Sequence, residues 1–341
     1  MKKSIPKLRG IVEAVSAHQP TPALTPRERF IAALERRPRP GRVPHFELVF
    51  FLTMEAFGKV HPGQRNYAQW DQMSDRERRL HIDDLADVYL RTAERYDHDA
   101  IFLHTDPRAP NQMRPLIDAI RERTGDRYFL MCHGDPTFAI PDGAGMEQLS
   151  IRLYEDQEGL QREARERLQQ SLALAETYRA HGGLDAFALC SDYCFNTGPF
   201  MPPAMFAEFV APYLAEVIAG YRALGFYTIK HTDGNILPIV DQLVQCHPHA
   251  LHSLDPQAGV DIAQIVDRYA DQVCLCGNVN CGLLQTGTEA EAIASARYAL
   301  KHGRRAPGYI FCTSNCIYTG MPLERYELIL DIWRKEGMRA N

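Results

Sequence analysis

The stretch FYTIKHTDGN, residues 226–235, is an apolar and β-branched run that ends in polar loop residues. Its first six residues have the composition of a buried strand, and the Asp-Gly-Asn that follows is typical of a loop. The pattern therefore predicts a strand that delivers the imidazole of His231 and the carboxylate of Asp233 to its carboxyl end. Gly234 allows the backbone of this loop to approach a ligand closely.

Seven further runs of this kind occur along the chain, at 43–51, 99–104, 127–132, 186–191, 250–254, 273–276 and 308–312. Segments with helical periodicity lie between them, at 74–96, 156–180, 203–223, 237–245, 261–270, 288–302 and 322–336. Alternating strands and helices indicate a parallel sheet with crossover helices, and eight such units favour a closed (β/α)₈ TIM barrel, an α/β fold. The chain contains no G-x-G-x-x-G or G-x-x-x-x-G-K-[ST] motif, which argues against a nucleotide-binding sheet.

The N-terminal part precedes these units. Thr25-Pro26-Arg27-Glu28 is a capping box with proline at the first helical position, and the helix that it begins ends at Pro38. We predict an N-terminal arm and helix over residues 1–37 and a single barrel domain over 38–341. The arm, up to about residue 24, is predicted to be extended or disordered unless a partner subunit covers it.

The composition of the chain argues against several classes of protein. The 341 residues include 38 Lys and Arg against 43 Asp and Glu, a net charge of −5, which argues against a nucleic-acid or membrane-surface binder. The chain has no long apolar run and its start lacks the apolar core of a signal peptide. Nine cysteines without such a leader favour reduced thiols over a disulfide framework. We therefore expect a soluble cytoplasmic protein.

Polar residues follow most of the predicted strands. In a TIM barrel the functional residues lie at the carboxyl ends of the strands, so these positions are the candidate site. The candidate acid and base groups are Glu47 and Asp192. The candidate substrate-binding residues are His45, His104, His133, Asp135, Tyr193, Asn235 and Asn278.

The cysteines near the last strands divide into two groups. Cys274, Cys276 and Cys312 occupy strand positions, where a thiol packs as a small apolar side chain. Cys316 lies in the polar loop beyond Cys312, where packing explains a thiol less well. None of the spacings matches a C-x-x-C pair framework, so a structural zinc site is not expected.

Several ordered motifs together resemble the uroporphyrinogen decarboxylase superfamily, which includes the decarboxylase of haem synthesis and the cobalamin-linked methyltransferases. The motifs are Asp192 followed by Gly198-Pro199-Phe200-Met201-Pro202-Pro203, then Phe209-x-x-Pro212, His231-x-x-Gly234-Asn235, Gly277-Asn278-Val279-Asn280 with Leu283-Leu284-x-x-Gly287-Thr288, and Pro322-Leu323-Glu324. The resemblance implies a (β/α)₈ barrel with its site at the carboxyl-terminal rim. It also implies a homodimer.

The resemblance is closer to the methyltransferase branch. The first predicted strand lacks the arginines with which the decarboxylase binds its acidic substrate, and it carries Glu47 instead. The thiol-methylating members hold zinc with a His-x-Cys pair and a later cysteine. His231 matches the histidine, Asp233 stands in place of the first cysteine, and Cys316 lies at or one residue past the last, with Asn315 as the other alignment.

This resemblance implies zinc held by His231, Asp233 and Cys316. The zinc-dependent enzyme would move a methyl group between a small methoxy, methylamine or thiol compound and the cobalamin of a separate corrinoid protein. Two alternatives stay open on the same residues. One is a metal-free decarboxylase or lyase that uses Asp192, Glu47 and His231, and the other is a non-catalytic corrinoid- or tetrapyrrole-binding protein.

Overall fold

The computed structural model describes residues 24–65 and 68–339. Seven parallel strands form one curled sheet: β1 Ala100–Leu103, β2 Phe129–His133, β3 Ala186–Leu189, β4 Tyr227–His231, β5 Ala250–His252, β6 Cys274–Val279 and β7 Tyr309–Thr313. Their order in the sheet follows their order in the chain. Each of the seven agrees with a predicted strand to within a few residues. The predicted arm over residues 1–23 lies outside the described residues.

The eighth predicted strand, 43–51, is wrong as a continuous strand. This segment lies between the two edge strands and pairs only through isolated bridges, at His45 with Phe311 and at Phe50 with Ile317. The Asp99 amide donates to the His45 carbonyl and the Phe311 amide donates to the Pro44 carbonyl. Proline has no N–H to add to a ladder, which is one reason why regular pairing stops here. The segment nevertheless links both edges of the sheet, so the TIM-barrel-like architecture is confirmed.

A core of small and apolar side chains fills the inside of the sheet. Every strand contributes to it at alternate positions, and the irregular segment adds Phe46 and Leu48. The strand contributions are Ala100, Phe102, Phe129, Met131, Ala186, Ala188, Ile229, Ala250, Cys274, Cys276, Ile310 and Cys312. The alternation is that of strands with one face inward. The prediction that the thiols of Cys274, Cys276 and Cys312 pack in the core is confirmed.

Apart from α1, the helices lie around the outside of the sheet. The helices are α1 Pro26–Leu34, α2 Thr53–Phe57, α3 Asp75–Arg95, α4 Pro110–Thr124, α5 Gly143–Glu155, α6 Gln157–His181, α7 Pro203–Phe209, α8 Ala211–Ala223, α9 Val240–Gln245, α10 Ile262–Tyr269, α11 Cys281–Thr286, α12 Glu289–Gly303 and α13 Leu323–Glu336. The strand residues that alternate with the inner ones pack against them, as Leu130 and Phe187 do.

The N-terminal helix α1 packs against the inner core rather than against the outer layer. Its capping box at Thr25 and Glu28 is present, and its Phe30 ring lies 4.7 Å from the Phe129 ring and 5.4 Å from the Phe46 ring. Phe129 begins β2, so α1 lies at the amino-terminal end of the barrel. The carboxyl-terminal end of the barrel, where the candidate site residues lie, is therefore not covered by α1.

The predicted helix 203–223 is broken near Pro212, as expected for a proline within a helix. Val210 leaves the helical conformation and α7 meets α8 at 45°. Within the described part of the chain, no single helix is long and apolar enough to cross a membrane, although this bent pair passes the same test when taken together.

Candidate functional site

Three side chains meet at the carboxyl ends of two neighbouring strands. Asp192 follows β3, His231 ends β4, and Asp233 lies two residues beyond it. His231 Nε2 is 3.7 Å from an oxygen of each carboxylate, and the three potential ligand atoms lie within 4.8 Å of one another. Neither carboxylate is within hydrogen-bond distance of Nε2. The group, which we call the rim triad, opens outward through Asp192, whose side chain is 46% exposed.

A second histidine orients the imidazole of the rim triad. His231 Nδ1 lies 2.7 Å from Nδ1 of His252, the last residue of the neighbouring strand β5. One proton must lie between these two nitrogens. When it belongs to His231, the Nε2 lone pair of His231 is free on the side of the two carboxylates, which is the arrangement of a ligating histidine.

Backbone and amide groups hold the carboxylates. The Asp233 amide donates to Asp192 Oδ1 at 3.0 Å, and Asn315 Nδ2 donates to Asp233 Oδ2. Asp233 Oδ1, the oxygen that faces His231, is buried and has no hydrogen-bond partner among the described residues. The hydroxyl of Ser253 lies near enough to Asp233 to lower the pKa of that carboxyl group, and it too is buried without a partner among the described residues. A buried acceptor without a hydrogen bond is costly, so this oxygen is available to the Ser253 hydroxyl or to a bound group.

Cys316 is not a member of the rim triad. Its Sγ donates to Asn315 Oδ1 at 3.0 Å, so the thiol is one side chain removed from Asp233. The loop after β7 does reach the site, but Asn315 rather than Cys316 is the residue of this loop that contacts Asp233. Asp192 comes from the loop after β3, the strand adjacent to β4. The structure therefore brings together His231, Asp233 and Asp192, where the predicted ligand set had Cys316 as its third member.

Burial sets the protonation of the rim triad. It lowers the pKa of His231 to about 3, helped by the nearby charge of Lys230, so the imidazole is neutral at physiological pH. Burial and the charge of Asp192 raise the pKa of Asp233 to about 7. A neutral imidazole beside two carboxyl groups, one of which gives up its proton easily near neutrality, is a donor set that a divalent cation can occupy.

An ion pair that sequence reasoning missed lies directly behind the rim triad. The fully buried Lys230 Nζ donates to Asp135 at 2.7 Å and to the carbonyls of Ser191 and Leu189 at 2.8 and 3.2 Å. Asp135 also accepts from the amide of Ser191, which precedes Asp192. Asp135 thus positions the loop after β3. It also lines the cavity described below, and its predicted contact with substrate stays a prediction. The sequence did contain a signal for this ion pair, because a lysine within an apolar strand requires a buried partner for its charge.

His104 and His133 lie together beside a cavity of about 790 Å³. Their predicted contact with a substrate stays a prediction. His133 ends β2, and its Nε2 is 3.3 Å from His104 Nδ1. His133 also lies near enough to His231 to lower the pKa of that residue. The cavity lies beside the end of β2, and none of the three rim-triad residues lines it.

The other predicted substrate-binding residues form hydrogen bonds within the protein. His45 is a correction: it is fully buried in the core, bonded to the Phe311 carbonyl and the Tyr326 hydroxyl. Asn278 is 5% exposed and donates to the Leu254 carbonyl at 2.8 Å. The remaining two brace the rim: Asn235 Oδ1 accepts from the amide of Leu237, and the Tyr193 hydroxyl is 2.6 Å from Thr137 Oγ1.

Glu47 is buried apart from the rim triad. Its Oε2 accepts from the Thr313 hydroxyl at 2.5 Å and from the Thr313 amide at 3.2 Å, and its Oε1 is buried without a partner among the described residues. Burial raises the pKa of Glu47 to about 8. The side chain is therefore protonated at neutral pH. Its predicted role as an acid or base stays a prediction.

Comparison with solved structures gives one match that supports this fold. A methyltransferase from Methanosarcina mazei superposes with a TM-score of 0.72 over 92% of this chain and 99% of that one, at 17% sequence identity. A GH5_18 protein from Streptomyces cattleya reaches a TM-score of only 0.47 at 12% identity, over 87% of this chain and 83% of its own. No curated protein sequence matches significantly.

The sequence comparison with protein families gives a more specific result. The family model of uroporphyrinogen decarboxylase (URO-D) matches residues 145–335, which is more than half of the chain and includes all three members of the rim triad. The motifs that prompted the resemblance lie within this region. The chain belongs to the URO-D family.

Proposed function

We propose that this protein is a zinc-dependent methyltransferase of the URO-D family. It would transfer a methyl group between a small methoxy, methylamine or thiol compound and the cobalamin of a separate corrinoid protein. The observation that carries the proposal is the rim triad, in which Nε2 of the His231 imidazole faces two carboxyl groups and one buried carboxyl oxygen has no hydrogen bond among the described residues.

The rim triad fits the requirements of a catalytic zinc site. Ligand atoms on a tetrahedral zinc are roughly 3.3–3.6 Å apart, given bonds of about 2.0–2.2 Å, and His231 Nε2 lies 3.7 Å from each carboxylate. Three protein ligands leave the fourth position of zinc open, as catalytic sites require. When bound, the zinc would act as a Lewis acid toward the heteroatom that carries the methyl group.

The remaining residues of the site hold these ligands in place. His252 fixes the ring of His231, and Asn315 holds one oxygen of Asp233 so that the other faces the imidazole. Such outer contacts set the orientation and basicity of metal ligands. The opening at Asp192 lies at the carboxyl-terminal rim, where a corrinoid protein would have to dock. A cytoplasmic location and a homodimer belong to the same proposal.

Metal analysis of variants tests the ligand set. After loading with zinc, the wild-type chain is expected to retain one equivalent, whereas His231→Ala and Asp192→Asn lose it. Cys316→Ser is the matched control and should retain zinc, because its thiol bonds to Asn315. Loss of zinc from Cys316→Ser with retention in Asp192→Asn would restore the ligand set with Cys316 and contradict the rim triad.

Turnover tests the reaction. Incubation under anaerobic conditions with cob(I)alamin and a panel of methoxy, methylamine and methylthiol compounds is expected to give methylcobalamin for one substrate class, and a chelator should abolish the reaction. Turnover that survives chelation and needs no cobalamin would instead support a metal-free lyase. Binding of corrinoid or tetrapyrrole without any turnover would support the non-catalytic alternative.

A further inference from the structure

Three histidine rings form a row at the rim on the side of β1 and β2. The ring centroids of His61 and His104 are 5.4 Å apart, as are those of His104 and His133. Phe102 lies 4.4 and 4.5 Å from the last two rings. His104 and His133 line the 790 Å³ cavity, and none of the rim-triad residues lines it.

The Leu48 carbonyl determines which atom donates in each hydrogen bond of His104. His104 Nε2 lies 3.1 Å from the carbonyl oxygen of Leu48, which can only accept, so this nitrogen carries the proton of His104. His104 is neutral because burial holds its pKa well below the ordinary value, and its Nδ1 is therefore a bare acceptor. That acceptor faces His133 Nε2 at 3.3 Å. His133 must consequently carry its own proton on Nε2.

The same argument determines the other nitrogen of His133. Burial also lowers the pKa of His133, and a neutral imidazole has one proton, so Nδ1 of His133 is unprotonated. This nitrogen has no hydrogen bond to any of the described residues, and it is not one of the buried unpartnered atoms. It is therefore open to whatever enters the cavity that His133 lines.

We propose that His133 Nδ1 is a hydrogen-bond acceptor for the ligand of this cavity, and that His104 is the positioning residue that fixes its tautomer through the Leu48 carbonyl. The ligand class is a small molecule with a hydroxyl or N–H donor. The cavity wall also has apolar members, Leu174, Phe187 and Tyr221, which suit the carbon part of such a molecule. The inference requires no metal and goes beyond the proposed methyl transfer.

Nitrogen NMR of the full chain with ¹⁵N-labelled histidine tests the tautomer. We assign the His133 signals by their loss in His133→Gln. The wild-type chain is expected to show an unprotonated Nδ1 and a protonated Nε2 at this residue. In His104→Phe the acceptor is gone, and the Nδ1–H form of His133 should rise several-fold. A protonated Nδ1 in the wild type, or no change in His104→Phe, would overturn the proposal.

Two variants separate this role from a general effect on packing. In His104→Gln the amide can donate to the Leu48 carbonyl while its oxygen accepts from His133, so the wild-type tautomer should be kept. His61→Phe keeps an aromatic ring beside His104 and removes no member of the hydrogen-bond chain, so it should also leave the tautomer unchanged. Tautomer loss in both variants would indicate packing alone and contradict the role of His104.

A pair of probes tests the ligand contact. Phenol carries a hydroxyl donor, and anisole has the same ring with a methyl ether in its place. Saturating phenol is expected to shift the His133 Nδ1 signal in the wild-type chain, with the response reduced several-fold in His104→Phe, while anisole leaves the signal in place. No response to phenol, or an equal response to both compounds, would show that Nδ1 does not accept from a ligand.

Discussion

Lys230 precedes His231 in β4, and its ammonium group is fully buried between the loops that follow β2 and β3. Its three protons have acceptors on Asp135, Leu189 and Ser191, and the charge lies 4.0 Å from the centre of the Tyr193 ring. Lys230 holds the loops that carry the site in place and is expected to contribute to the free energy of unfolding.

Replacing Lys230 with methionine leaves the carboxylate of Asp135 buried without a counter-ion. We expect Lys230→Met to lower the free energy of unfolding by about 3–5 kcal/mol in a urea titration, because one partner of a buried pair is removed. Lys301→Met, at an exposed lysine of α12, should change it by less than about 0.5 kcal/mol. The double variant Lys230→Met with Asp135→Asn should recover part of the loss, and strict additivity would argue against the pair.

Glu47 makes stability depend on pH. Its pKa is raised to about 8 in the folded chain, above the ordinary value of 4.5, so folding binds a proton between these two values. The stabilisation is present below about pH 4.5 and is lost as pH rises toward 8, by up to about 1.4 kcal/mol per pH unit. Urea titrations at pH 5 and 8 should show a smaller difference for Glu47→Gln than for the wild type. Equal differences would contradict protonation of Glu47.

At the scale of the element, α1 is the helix that closes the inner core at one end of the barrel. Its buried face, Phe30, Ala33 and Leu34, belongs to the same cluster as the inner strand residues, so the helix completes the core at the amino-terminal end of the barrel. Arg29, on the same helix, pairs with the buried Asp99 at 2.6 Å and joins α1 to the residue that precedes β1.

The Phe30 side chain is expected to carry most of the contribution of α1 to stability. Phe30→Ala should cost about 3–5 kcal/mol, because it removes a fully buried ring from between Phe46 and Phe129 and leaves a cavity. Phe195→Ala is the control, since this ring is 44% exposed. Chemical unfolding followed by fluorescence measures both. A loss below about 1 kcal/mol for Phe30→Ala would show that α1 is not part of the core.

At the scale of the whole molecule, the nine cysteines are distributed through the barrel as separate thiols. Eight are buried and Cys190 is half-buried. Burial raises the pKa of Cys281 and Cys246 to about 11, as expected where an apolar environment disfavours the thiolate. The molecule is therefore expected to owe none of its stability to cross-links.

Thiol titration checks this expectation. In denaturant without reductant the chain should present nine free thiols, and the unfolding midpoint should be the same with and without dithiothreitol. Under native conditions a thiol reagent should modify the thiols much more slowly than in denaturant, because they are buried or half-buried in the folded chain. A count of seven or fewer in denaturant, or a midpoint that falls on reduction, would reveal a disulfide.

Local signals in the sequence determined most of the elements. Capping boxes at Thr25, Ser74 and Thr288 begin helices in the structure, and seven of the eight apolar runs are strands. These features depend on hydrogen bonds and periodicities within a few residues, which the sequence shows directly. The run 43–51 differs because its conformation depends on both edges of the sheet at once.

The composition of the site depended on contacts that no local pattern contains. The sequence placed His231 and Asp233 two residues apart at one strand end, but the third partner was determined by which side chains of other loops turn toward them. The loop after β3 supplies Asp192, and the loop after β7 supplies Asn315 where Cys316 had been predicted. His45 looked like a rim residue and is a core residue, because its surroundings come from α13 and β7. Secondary structure depends on residues that are close in the sequence, so the sequence predicts it. The distances between side chains at different strand ends exist only in the folded barrel, so they could not be predicted in this way.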